Sequence, residues 1–69
     1  MARDKAKDDK HFNCDQKHEL DYVSGLYPNH EAEVLTFLIK CCKNNTIKYS
    51  THKEVYELIK KELGYSIPN

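Results

Sequence analysis

The sequence contains no run of apolar residues long enough to cross a membrane, which takes about 20 in succession. Its mean hydropathy is low, at −0.83. The segment Met1–Lys10 is charged and has no apolar centre of the kind that a secretory signal needs. We therefore expect a protein with neither a membrane span nor a secretory signal.

An excess of charge of either sign is also missing. The chain carries 11 Lys and Arg residues and 11 Asp and Glu residues, so its formal net charge is zero. Strong charge-driven binding to nucleic acid or to an anionic membrane needs a basic excess. The composition therefore argues against both kinds of partner, although it does not exclude a local basic patch.

Cysteine is scarce, and its number is odd. The chain has three cysteines with no spacing typical of a disulfide framework. This pattern favours a reducing, cytoplasmic setting. Cys41 and Cys42 lie in the most apolar stretch of the chain, so we interpret them as small buried core residues.

The motifs of metal sites and of catalysis are nearly absent. Cys14 and His18 have the spacing of two ligands on one helix face, which leaves a metal site open at that position. Adjacent residues on a helix diverge by about 100°, so Cys41 and Cys42 cannot both face one ion. The chain has no glycine-rich phosphate loop and no G-x-S-x-G motif. We predict no cofactor, no metal, no small-molecule substrate and no enzymatic activity.

The length of 69 residues indicates one small domain, and a chain of this size buries only about 60% of its unfolded surface. Residues 1–10 contain four basic and three acidic side chains and no large apolar residue after Met1. Such a segment cannot bury enough surface to offset its ordering entropy. We predict a disordered arm over residues 1–10 and a three-helix domain over residues 11–69.

The stretch Glu33–Cys42 concentrates the apolar residues of the chain. On a helix its apolar side chains fill an arc of roughly 200°, about twice the stripe of an ordinary surface helix. This central helix should begin after Asn29 as N-cap and end at Asn44 and Asn45. Because it needs cover on two sides, we predict an all-α fold in which the other helices pack around it.

Two further helices are predicted from their ends. The first runs from Cys14 to Ser24 with Asn13 as N-cap. The last begins after Thr51, whose T-x-x-E sequence forms a capping box, and stops at Gly64. Between the second and third helices, residues 46–49 alternate and favour a short extended segment.

Contact with another protein is the function that these features favour. The apolar arc of the central helix has only two short helices to cover it, and tyrosines suit interfaces. A regulatory homodimer is one form that such contact can take. The residues that we predict at an interface are Phe37, Ile39, Tyr49 and Tyr56.

A DNA-binding regulator of the helix-turn-helix type is the alternative. Its contacts would come from the one basic cluster of the chain, namely Lys48, Lys53, Lys60 and Lys61. Against it, Glu31 and Glu33 would face the phosphates if the central helix were the recognition helix. A solvated helix face also explains the lysines.

Overall fold

The computed structural model describes residues 4–67, and within them the fold is all-α, as predicted. The α-helices are α1 (Lys17–Gly25), α2 (Glu31–Lys43) and α3 (His52–Leu63), and a 3-10 helix spans Lys5–Lys7. In this part of the chain there is no β-strand, and no helix is both long enough and apolar enough to cross a membrane.

Both ends of α3 follow from local chemistry. The backbone N–H of Glu54 donates to Thr51 Oγ1 over 3.2 Å, and the Thr51 N–H donates to Glu54 Oε1 over 2.9 Å. These two bonds form the predicted capping box. At the other end Gly64 has a φ of 78°, the left-handed conformation that ends a helix and that glycine adopts without a steric cost.

Helix α1 begins three residues later than predicted. The Asn13 side chain does not cap it, because its Oδ1 accepts a hydrogen bond from the Asp15 N–H over 2.9 Å. This bond closes a local turn, which competes with the helix for the same donor groups. Gln16 is the N-cap instead, and it makes no side-chain capping bond. Cys14 therefore lies in a turn before α1 rather than in its first turn.

Helix α2 matches the prediction closely, with His30 rather than Asn29 at its N-cap. Asn29 has a φ of 69°, so it lies outside helical geometry. The predicted stop at the other end is confirmed, since the helix ends at Lys43 and Asn45 has a φ of 58°. Val34, Leu38 and Cys41 are the buried residues of this helix.

The structure differs from the prediction at residues 46–49, which form turns rather than an extended segment. The Thr46 N–H donates to the Cys41 carbonyl over 2.9 Å, so the chain folds back on the end of α2. The Ser50 N–H then donates to the Ile47 carbonyl over 3.2 Å. Ile47 is fully buried and fixes this segment to the core.

The core lies between the three helices and includes residues from the connections. Eleven buried apolar side chains form it: Phe12, Val23, Leu26, Tyr27, Val34, Leu38, Cys41, Ile47, Val55, Tyr56 and Ile59. Tyr65 and Ile67 pack against it after α3 ends. Tyr65 also stacks on His30 with 3.9 Å between ring centroids, and its hydroxyl donates to Glu33 over 2.7 Å. The C-terminal segment is thereby fixed to the start of α2.

Part of the predicted N-terminal arm makes contacts with the helices. The Lys53 N–H donates to the Asp8 carbonyl over 3.0 Å, and the Asp4 N–H donates to the Tyr22 hydroxyl over 2.9 Å. Residues 1–3 of the arm lie outside the described residues, so the division at residue 10 stays a prediction. The contacts of residues 4–10 nevertheless bring this segment beside α1 and the start of α3.

Candidate interaction surface

The four side chains predicted at an interface lie in different environments. Ile39 is 42% exposed and Tyr49 is 78% exposed, and these two are the exposed large hydrophobic residues among those described. Phe37 is half-buried. Tyr56 is only 7% exposed and belongs to the core. Of the predicted set, Ile39 and Tyr49 are therefore the two that a partner can reach directly.

Tyr56 is held inside the protein by its neighbours. Burial is the largest cause that raises the pKa of its hydroxyl, and the neighbouring Tyr22 and Asp8 raise it further. Each of these effects disfavours the phenolate. Tyr56 therefore serves the core as a neutral tyrosine.

Phe37 lines a groove between α2 and α3. The groove has a volume of about 340 Å³ and is bordered by Leu58 and Leu63 of α3. Cys41 also lines the groove and is 6% exposed. Burial, and after it the charge of the nearby Glu62, raises the pKa of the Cys41 thiol. Both effects disfavour the thiolate, and the burial agrees with the prediction of Cys41 as a core residue.

Cys14 and Cys42 form a disulfide, which the sequence did not indicate. Their Cα atoms are 5.8 Å apart, and 28 positions separate them in the chain. Both are half-buried and pack against the core without belonging to it. The interpretation of Cys42 as a buried thiol is thus wrong. The odd cysteine count concealed the pair, because the third cysteine is buried and takes no part in it.

The disulfide also bears on the metal site that the sequence left open at Cys14 and His18. Because Cys14 lies before α1 and its sulfur is bonded to Cys42, the two residues do not share a helix face. Among residues 4–67 no group of three or more His, Cys, Asp and Glu side chains could hold a metal ion.

Each of the two exposed hydrophobic residues lies near a cysteine of the disulfide. Ile39 precedes Cys42 by three positions on α2, so their side chains are neighbours on the helix surface. Cys42, Cys14 and Tyr49 line one surface depression of about 460 Å³. We call the surface formed by Ile39, Cys42, Cys14 and Tyr49 the disulfide face. Phe37 lies on the flank of α2 opposite Ile39, as the positions of Phe37 and Ile39 on the helix predict.

The four lysines of the DNA-binding alternative are spread over separate depressions. Lys53 and Lys60 line one together with the acidic Glu57. Lys61 lines a second, which also contains Glu57, and Lys48 lines the depression of the disulfide face. The lysines therefore do not line one common depression, and a carboxylate lies among three of them.

A buried polar pair joins α1 to the start of α3. His52 is 1% exposed, and its Nε2 lies 3.1 Å from Glu19 Oε2, while its Nδ1 lies 2.7 Å from the Lys10 carbonyl oxygen. Lys7 Nζ lies 3.8 Å from the same Glu19 oxygen. A carbonyl oxygen only accepts, so the Nδ1 of His52 carries the hydrogen of the contact with Lys10.

The pair of His52 and Glu19 lies inside the protein, where it joins elements of the fold. The rings of Phe12 and Tyr22 meet the His52 ring edge-on, with centroids 5.6 and 6.4 Å away. The His52 ring thus lies between aromatic side chains and not at a surface. His52 is the first residue of α3, yet the carbonyl of Lys10 and the side chains of α1 cover it.

Comparison with known proteins gives no match to a protein-family model, to a curated protein or to a solved structure. Interpretation of function therefore depends on the residues of this chain. The disulfide face is the surface of the described residues that combines exposed hydrophobic side chains with a fixed backbone.

Proposed function

We propose that this protein is non-enzymatic and acts by contact with another protein through the disulfide face. The observation that carries the proposal is the position of Ile39 and Tyr49. They are large, exposed hydrophobic side chains near the Cys14–Cys42 disulfide. Exposed aromatic and aliphatic side chains of this kind supply the central contacts of many interfaces.

A second copy of the same chain is the partner that we propose first. The net charge of zero means that two copies approach without mutual repulsion at neutral pH. A stable interface usually buries about 800 Å² on each partner. Two side chains do not supply that area alone, so the contact would extend over the depression between Tyr49 and the two cysteines.

The location of the protein belongs to the same proposal. A cytoplasmic location was predicted from the odd number of cysteines, and the disulfide weakens that argument. Structural disulfides persist in oxidising compartments and are rare in the cytoplasm. We therefore propose an oxidising environment for the form that contains the Cys14–Cys42 bond.

Sedimentation velocity over a range of concentrations tests the homodimer. We expect the sedimentation coefficient to rise with concentration for the oxidised protein, and the rise to disappear in the variants Ile39→Ser and Tyr49→Ser. The matched control is Lys40→Ser, which changes an exposed side chain of α2 outside the disulfide face and should leave association intact. A monomer at every concentration would exclude the homodimer.

Titration with duplex DNA tests the alternative function. Because the four lysines are dispersed among carboxylates, we expect no binding at low salt. Binding that weakens steeply as the salt concentration rises would show phosphate contacts. That result, lost in the double variant Lys53→Ser and Lys60→Ser, would favour a nucleic-acid function over the one proposed.

A further inference from the structure

The disulfide connects a turn to the end of α2 at the surface. The turn Asn13–Gln16 has local hydrogen bonds of its own, since Asn13 accepts from the N–H groups of Asp15 and Gln16. Its neighbour Phe12 is anchored separately, because Phe12 is fully buried and its N–H donates to the Ser50 carbonyl over 2.9 Å. The covalent bond from Cys14 to Cys42 therefore sets where this turn lies against α2.

The same bond shapes the depression of the disulfide face. Residues 11–15 line the depression together with Cys42, Asn45, Lys48 and Tyr49. No hydrogen bond of the described residues joins the turn to α2, so without the disulfide the turn would be free to move away from α2. The depression beside Tyr49 would then lose its fixed width, while the exposed side chain of Ile39 would stay on a continuous helix.

We propose that the Cys14–Cys42 disulfide is a redox switch that controls the shape of the disulfide face. The consequence for binding rests on the function proposed above, whereas the change in shape does not. The reductant is a dithiol. Its thiolate attacks one sulfur, the Cys14–Cys42 bond breaks, and a mixed disulfide forms. The second thiol of the reagent then displaces the protein sulfur, so the protein gains two thiols and the reagent becomes a disulfide.

Three features of the structure support a reversible exchange. Cys14 and Cys42 line an open depression, so a small thiol reaches them. The eleven core side chains do not include either cysteine, so the core keeps its residues when the bond opens. The third cysteine, Cys41, is buried below the Phe37 groove and does not compete for the exchange.

Amide hydrogen exchange, followed by NMR, tests the change in shape. We compare the oxidised protein with the protein in dithiothreitol and with the double variant Cys14→Ser and Cys42→Ser. We expect exchange to accelerate about tenfold or more at residues 13–16 and 42–49, since local opening is otherwise limited by the bond. Protection in the middle of α3 should fall as the global stability falls but should not vanish, and oxidised dithiothreitol should restore the slow exchange in the wild-type chain only.

The control variant is Cys41→Ala, which retains the disulfide and should respond to dithiothreitol as the wild type does. Unchanged exchange at residues 13–16 after reduction would overturn the proposal. Complete loss of protection throughout the three helices, as in an unfolded chain, would also overturn it, because the bond would then be a requirement for folding and not a switch.

Sedimentation velocity with and without dithiothreitol then separates the two proposals. If the oxidised chain associates, we expect reduction to weaken the association about tenfold or more, and equal association in both states would overturn control of binding by the switch. If the oxidised chain does not associate, the homodimer fails. In that case the exchange measurement alone decides whether the switch in shape is present.

Discussion

Removal of the Cys14–Cys42 disulfide is the perturbation whose effect on stability follows most directly from the structure. The bond closes a loop across 28 positions. In the chain-entropy model, cross-linking a loop of that length restricts the unfolded state and stabilises the fold by about 3.5 kcal/mol. We therefore expect the double variant Cys14→Ser and Cys42→Ser to lose about 3.5 kcal/mol in its free energy of unfolding.

The loss is large for a chain of this size. The core of a domain below about 70 residues rarely supplies more than roughly 3–5 kcal/mol by itself. We expect the variant to stay folded with no more than that stability, and its melting temperature to fall by about 15–25 °C. Serine adds little further cost because Cys14 and Cys42 are half-buried and lie outside the core.

Thermal and urea unfolding, both followed by far-UV circular dichroism, measure the change. Two controls accompany the variant: the wild type in dithiothreitol, which should melt at the same temperature as the variant, and Cys41→Ala, whose melting temperature should still fall on reduction. The reasoning would be refuted if the variant were as stable as the oxidised wild type. It would also be refuted if dithiothreitol left the melting temperature of the wild type unchanged.

Four smaller predictions concern the helix ends and the buried pair. Thr51→Ala removes the cap of α3 and should cost about 1 kcal/mol in urea unfolding, whereas Thr51→Ser should retain most of the stability. Gly64→Ala places a Cβ in a left-handed conformation with no heavy atom within 4 Å; the backbone strain should cost about 1 kcal/mol, and Gly64→Asn should cost less. Hydrogen bonds from Thr51 hold the pKa of the Glu54 carboxyl below its usual 4.5. The stability that the ionised carboxylate contributes is therefore present above pH 4.5 and is lost as the pH falls through the lowered pKa. Glu54→Gln should therefore flatten the acid limb of a stability–pH curve. Glu19→Gln removes the carboxylate that bonds the buried imidazole and should cost about 1–3 kcal/mol, while the exposed control Glu57→Gln should change stability by less than about 0.5 kcal/mol.

The parts of the fold that could be predicted from the sequence are those that depend on neighbouring residues. The capping box of Thr51 and Glu54 lies within four positions, and the left-handed Gly64 needs only its own lack of a side chain. The apolar periodicity of α2 likewise indicated a central helix without knowledge of its partners. Local propensity and tertiary packing agree in these segments, so the predicted ends of α3 and the predicted end of α2 are confirmed.

Some residues suit two different local structures, and the sequence could not decide between them. Asn13 suits an N-cap and a turn equally, and the turn with Asp15 formed. Thr46–Tyr49 alternates as a strand does, but no second strand among the described residues pairs with it, so it forms turns. In both cases the deciding contact involves the three-dimensional surroundings of the segment.

That Ile39 and Tyr49 lie at an interface stays a prediction, and the structure shows only that both are exposed. The disulfide near them could not be found from spacing, because 28 positions separate its cysteines. Tyr56 was assigned to the same surface from its residue type. Its burial depends on α1 and the N-terminal segment, and neither is visible in the pattern of α3 alone.

The buried polar pair of His52 and Glu19 and the disulfide have a common role, because both help to hold the segment before α1 against the helices. The segment before α1 is highly charged, and Phe12 is the side chain that it places in the core, so hydrophobic burial alone cannot hold residues 4–10. Bonds of other kinds also join the segment to the helices, among them the hydrogen bond between the Lys10 carbonyl and His52 and the disulfide between Cys14 and Cys42. The first bond is buried beneath aromatic rings, whereas the second lines an open depression. Reduction therefore breaks the disulfide and leaves the hydrogen bond between Lys10 and His52 in place. The segment stays anchored at His52, while the turn beside the disulfide face becomes free to move.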